Sequence, residues 1–307
     1  MTETPVVFGP QSGLFGVLTQ PPSPRAVECA FLMLNAGVVS HIGPHRMNVK
    51  LARALASAGE ASFRFDLSGH GDSENAQTSA GFLEQAASDI QSAMDHLEKE
   101  HGIRKFALIG ICSGAVSAFE TALKDSRVIA LLMFDGYWYP SRWSTLARDW
   151  QRFRAITWSQ AASAFLRRIA QKFIPSKHQT SEGIFGGKKA PFNLPHVAFA
   201  NAIEALVKRR ASIFIVYGGS IIEQYSYSNQ FHHVFGQEAP FDQVRCEFHP
   251  EMDHIFVSPV SQQAMIETVL GWRADVHLAA DHSPLGEIDD SPTPTRRPAH
   301  LTLAGGS

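Results

Sequence analysis

The stretch Gly110-Ile111-Cys112-Ser113-Gly114 constrains this chain more than any other five residues. It follows an apolar run, Phe106-Ala107-Leu108-Ile109, and precedes a helical pattern that begins near Ala115. A chain that turns this sharply from a buried strand into a helix needs glycines on both sides of the turn, because the two backbones then approach closely. The residue between them is held out at the tip, in a conformation that residues with side chains rarely adopt. Counting from Gly110, that residue is Cys112, and Ser113 is one position out of register. A lone cysteine is more often a small buried apolar residue than a reactive one. The strand–turn–helix setting is what singles out Cys112.

The surrounding pattern agrees with that turn. Ala30 to Asn35 and Val128 to Phe134 are short apolar runs, as expected of strands buried on both faces of a parallel sheet, and Ala61 to Leu67 also reads as a strand. Val6 to Gly9 and Leu14 to Thr19 read as strands near the start of the chain, and Ser212 to Tyr217 and Val244 to His249 as two more near its end. Between the strands, Met47–Ala58, Phe82–Leu97, Ala115–Leu123 and roughly Val260–Trp272 space their apolar residues as helices do. Alternating strands and helices predict an α/β fold, a mostly parallel sheet with helices on both faces. With 44% hydrophobic and 18% charged residues in 307, the chain can fill such a core.

The alternation breaks after Asp135. More than 70 residues separate it from the next clear strand, and they hold four of the five tryptophans: Trp138, Trp143, Trp150 and Trp158. From Arg142 to Lys189 ten Lys/Arg face only Asp149 and Glu182. Residues 137–206 therefore read as a basic, aromatic helical cap over the carboxyl edge of the sheet, where open α/β folds bind ligands. Residues 1–136 and 207–274 form the core. The tail from 275 to 307, rich in Pro, Asp, Ser and Gly, is expected to be disordered.

Composition narrows the functional class. A net charge of −2 argues against a general nucleic-acid binder. Three cysteines, Cys29, Cys112 and Cys246, make no disulfide framework and fit a reducing compartment. The first residues lack the basic-then-apolar pattern of a secretory signal, and no apolar run approaches the ~18 residues of a spanning helix. A cytoplasmic location with no integral membrane segment is the expectation. Nothing in the sequence calls for a metal or a cofactor.

Four pieces in this order resemble the α/β-hydrolase superfamily, in its serine-aminopeptidase-like and exosortase-associated flavour. They are Asn35-Ala36-Gly37 with Gly43-Pro44-His45-Arg46; Arg64-x-Asp66-x-x-Gly69-x-Gly71-Asp72-Ser73; the Gly110–Gly114 turn; and Asp253-His254. The resemblance covers about residues 6–136 and 212–273. It implies the α/β-hydrolase fold, with the cap inserted after the strand that follows the elbow helix. It makes Gly110–Gly114 the nucleophile elbow and Cys112 the nucleophile. Cysteine in that position looks like dienelactone hydrolase and some cysteine thioesterases. His254, on the loop after the last strand, is then the base. The acid is either Asp135, at the carboxyl end of its strand, or Glu223, after Ser212–Tyr217, with Asp135 preferred. The backbone amides of Ser113 and of Gly37 or Val38 would form the oxyanion hole. The Arg64–Ser73 signature is structural, its glycines and short polar side chains suiting a tight turn.

The resemblance implies acyl transfer through a covalent acyl-enzyme. A cysteine nucleophile and a basic, aromatic cap favour a thioesterase or acyltransferase acting on a small-molecule acyl group presented on an acyl carrier protein or CoA. A carboxylesterase or lactone hydrolase is the alternative enzyme. A hydrolase-fold binding protein with an inert Cys112 is the non-catalytic alternative.

Overall fold

The structure is a computed structural model that describes residues 1–22, 28–141, 143–144, 194–222, 224–237 and 239–283. Among the described residues eight strands form one sheet: β1 (Thr2–Phe8), β2 (Leu14–Gln20), β3 (Cys29–Met33), β4 (Ala61–Phe65), β5 (Lys105–Ile111), β6 (Val128–Phe134), β7 (Ser212–Gly218) and β8 (Val244–His249). Their spatial order is β1-β2-β4-β3-β5-β6-β7-β8. Strand β2 runs antiparallel to both β1 and β4, and every pairing from β4 to β8 is parallel. Parallel strands have their carboxyl ends at one edge, so the loops after β3, β5, β6, β7 and β8 all open on the same side.

The continuous apolar runs are explained by burial on both faces. Along β3 and β5 alternate residues enter two separate clusters. Ala30, Leu32, Phe106 and Leu108 face one side, and Cys29, Phe31, Met33, Ala107 and Ile109 the other. The first side is covered by α2 (Phe82–His101), α3 (Ser113–Lys124) and α4 (His196–Lys208). The second is covered by α1 (Met47–Ser57) and the helix Pro259–Asp281, which becomes α6 after the short α5 (Gln230–Phe235). A period of two along a strand, with both phases apolar, requires this three-layer arrangement.

Two boundaries differ from expectation. Helix α6 runs to Asp281, past the expected start of the tail at 275, because Val276, Ala279 and Ala280 continue its buried stripe and Lys105 donates to the Ala280 carbonyl at 2.6 Å. Helix α4 straddles position 206 and seats Phe199, Ile203 and Leu206 in the same cluster as α3 and β7. Tyr137 is also buried there, its carbonyl accepting from the Tyr217 hydroxyl at 2.7 Å. The two ends of the 137–206 stretch are thus packed with the sheet. Its central part, 145–193, lies outside the described residues, as does the tail from 284.

Candidate active site

The turn at the end of β5 has the geometry its glycines imply. Cys112 sits at φ 55°, ψ −119°, as the N-cap of α3. A Cβ placed on Gly110 would stand 2.5 Å from the Ala115 backbone, and one on Gly114 would stand 2.5 Å from the Asn35 carbonyl oxygen. Both are impossible contacts, so strand, helix and the loop after β3 meet here only because two side chains are missing. The Cys112 amide donates to the Phe134 carbonyl at 2.9 Å, which ties the turn to β6.

Asp135 follows β6 directly, at φ 50°. Its side chain is fully buried, and each oxygen has a donor: Gly218 N–H reaches Oδ1 at 2.8 Å and His254 Nδ1–H reaches Oδ2 at 2.8 Å. His254 comes from the loop between β8 and α6. Asp253 shapes that loop by accepting from the amides of Val257 at 2.9 Å and Ile255 at 3.2 Å, and Ser220 accepts from the His254 amide at 3.0 Å. With Nδ1 committed to Asp135, the other ring nitrogen is left for the Cys112 sulfur, with which the imidazole also hydrogen-bonds. The Asp135 hydrogen bond, then the Cys112 hydrogen bond, push His254 up to about 10 against the opposing effect of burial. The imidazolium is therefore the resting form at neutral pH.

The other two thiols are in different surroundings. Burial pushes Cys246 up to about 12 and Cys29 higher still, so both are protonated. Cys112 is only half-buried and, among the described residues, is the one thiol placed against an imidazole.

The remaining expected site residues distribute as follows. The Ser113 amide opens α3, where the first N–H groups have no intrahelical acceptor. Gly37, at φ 57°, does reach the elbow, but its N–H donates to the Ser113 hydroxyl at 2.8 Å. Val38 is 88% exposed. Glu223 lies outside the described residues, and Asp135 occupies the position beside His254.

The Arg64–Ser73 signature proves to be linked to this loop. Asp66 accepts from Asn35 Nδ2 (2.9 Å), from the His41 amide and Nδ1 (2.7 Å), and from the Asp72 amide (3.0 Å). Asn35 in turn donates to the Val39 carbonyl and accepts from the Leu67 amide, both at 2.8 Å. Donor atoms of His41, Asp66 and Asp72 converge within 4.8 Å, but the Asp66 oxygens are already engaged by these N–H groups. The knot holds the loop that carries Gly37. Sequence reading placed Asn35 and Asp66 in separate motifs; only their 31-residue separation closing in space relates them.

A family model described as serine aminopeptidase, S33, matches residues 27–185, slightly more than half of the chain. The chain belongs to this family of α/β-hydrolases. The match spans the elbow and Asp135 but ends before β7, so His254 lies beyond it. No curated protein matches in sequence. Among solved structures, a proline iminopeptidase from Mycobacterium smegmatis superposes with a TM-score of 0.55 at 15% identity, covering 91% of this chain and 100% of that one. Est1E from Butyrivibrio proteoclasticus gives 0.50 at 16%, covering 88% and 99%. The esterase domain of a Rhodothermus marinus protein gives 0.50 at 16%, covering 89% and 98%. These likenesses are of fold.

Proposed function

We propose that this α/β-hydrolase transfers acyl groups through a covalent thioester on Cys112, with His254 as the proton carrier and Asp135 as the group that orients and charges it. The observation that carries this reading is the single imidazole bridging a fully buried carboxylate and a half-buried thiol at the tip of the elbow. An imidazolium beside a sulfur favours the thiolate, which is the nucleophilic form. The Cys112 sulfur attacks the carbonyl carbon of an ester or thioester, forming a C–S bond and placing negative charge on the carbonyl oxygen. Collapse of that intermediate breaks the bond to the leaving group, which takes its proton from His254. Neutral His254 then accepts a proton from water or another acceptor as it attacks the acyl thioester. The acyl product leaves, and Cys112 and His254 return to their starting charges.

A thioester intermediate stays reactive toward hydroxyl, thiol and amine acceptors, which favours thioesters over amides as substrates. The excess of Lys and Arg between Arg142 and Lys189, interleaved with tryptophans, suits an anionic carrier such as CoA or an acyl carrier protein. The Rhodothermus marinus domain is an esterase domain, and simple esters are the second substrate class for this site.

Intact-protein mass after brief incubation with acyl-CoA, acyl-carrier and aryl-ester donors tests the reading. The expected result is a gain of one acyl group that vanishes in Cys112→Ala. No gain from any donor, with Cys112 alkylating no faster than a free thiol in mildly acidic buffer, would refute it. Comparable rates with neutral esters and with carrier-bound acyl groups, insensitive to salt, would reject the carrier preference alone.

A further inference from the structure

The oxyanion hole of this fold is expected to use two backbone N–H groups, yet one of them is already engaged. An amide has one hydrogen, and that of Gly37 points at Ser113 Oγ, 2.8 Å away. The loop is not free to swing this amide elsewhere. Asn35, two residues earlier, is held on both ends of its side chain by Val39, Asp66 and Leu67. A Cβ on Gly37 would meet nothing within 4 Å, so the glycine is there for its left-handed φ of 57°, which sets the direction of the N–H, and not for lack of space.

Resting on the acyl-enzyme reading, we propose that the Ser113 hydroxyl is a catalytic oxyanion donor, with the Gly37 amide acting through it. A serine hydroxyl has two lone pairs and one proton. Accepting from Gly37 uses a lone pair and leaves the O–H free to rotate toward a carbonyl oxygen held at Cys112. The amide behind it polarises the hydroxyl, because hydrogen bonds in a chain strengthen one another. Ser113 then supplies both donors, its own amide at the start of α3 and its side chain, and both are adjacent in sequence to the attacking sulfur. Gly37 and Ser113 meet at a solvent-open point of the surface, so a substrate carbonyl can reach them. The serine at this position therefore has a use even though it is one residue away from the nucleophile.

The test separates reactions that create an oxyanion from one that does not. Acylation of Cys112 by p-nitrophenyl butyrate passes through a tetrahedral oxyanion. Alkylation of the same sulfur by iodoacetamide needs the same thiolate and imidazolium but builds no such charge. In Ser113→Ala the acylation rate should fall roughly 10- to 100-fold, at or below the usual cost of one oxyanion donor because the Ser113 backbone amide remains in place. KM and the alkylation rate should change by less than about twofold, the signature of an interaction made only in the transition state. Ser113→Thr, which keeps the hydroxyl, should recover most of the acylation rate. Unchanged or faster acylation in Ser113→Ala would overturn the proposal. So would a parallel loss of acylation and alkylation, which would mean that Ser113 only supports the elbow. Full turnover of p-nitrophenyl butyrate by Cys112→Ala would instead overturn the acyl-enzyme reading itself, and the proposal with it.

Discussion

Replacing Asp135 with Asn removes a charge from the least solvated part of the site while keeping its shape. The amide oxygen can still accept from Gly218 N–H, but the carboxylate that receives His254 Nδ1–H is gone. In the wild type His254 rises from 6.5 to about 10, with the Asp135 hydrogen bond as the largest cause. A folded-state value above the unfolded one means that the folded protein keeps a proton the unfolded chain releases. The resulting stability is fully present below about pH 6.5 and is lost as pH climbs through about 10. From those two values the contribution is roughly 5 kcal/mol at pH 6 and between about 1 and 2 kcal/mol at pH 9, so on the order of 3 kcal/mol disappears across the window. Asp135 supplies the largest share and Cys112 part of the remainder. Urea denaturation of wild type and Asp135→Asn at pH 6, 7.5 and 9 should therefore show a gap that narrows by about 1–3 kcal/mol with rising pH. A gap that stays constant or widens would refute the assignment of the imidazolium to this pair.

Other substitutions probe the supports of the site. Gly114→Ala puts a methyl group 2.5 Å from the Asn35 carbonyl oxygen, and should cost roughly 1–3 kcal/mol in thermal or chemical denaturation as loop and helix are forced apart. Asn35→Ala strands the Leu67 amide and the Val39 carbonyl, and should lower stability by about 2–3 kcal/mol. It should also slow acylation of Cys112 more than its alkylation by iodoacetamide, since the loop carrying Gly37 loosens. Val276→Asp places a charge in the buried stripe of α6 beyond Trp272, and a loss on the order of 3 kcal/mol or more is expected in urea denaturation. An effect below about 0.5 kcal/mol, usual for a surface site, would mean that the last turns of α6 are not part of the core.

Much of the architecture was legible in the order of residues, for identifiable reasons. Strands buried on both faces are unbroken apolar runs, and β3 and β6, with β5 and β7 past their first residue, are of this kind. The elbow was legible because close backbone approach excludes side chains at Gly110 and Gly114 whatever the rest of the fold does. His254 and Asp135 could be named from their places after strands β8 and β6, because parallel strands bring their carboxyl ends to one edge. Periodicity was a weaker guide where the apolar stripe thinned: α6 continues to Asp281 on Val276, Ala279 and Ala280, small or isolated residues that local pattern reading treats as tail.

What the sequence by itself determined was the class of fold, the turn that presents Cys112 and the set of residues from which a site could be built. The tertiary structure alone decided how they pair. That Asp135 meets His254 across 119 residues, and that Gly37 N–H reaches Ser113 Oγ across 76, are distances between loops on different strands. No local propensity encodes them. They are set by the order and register of the strands, and by the packing that fixes where each carboxyl end lies relative to the next.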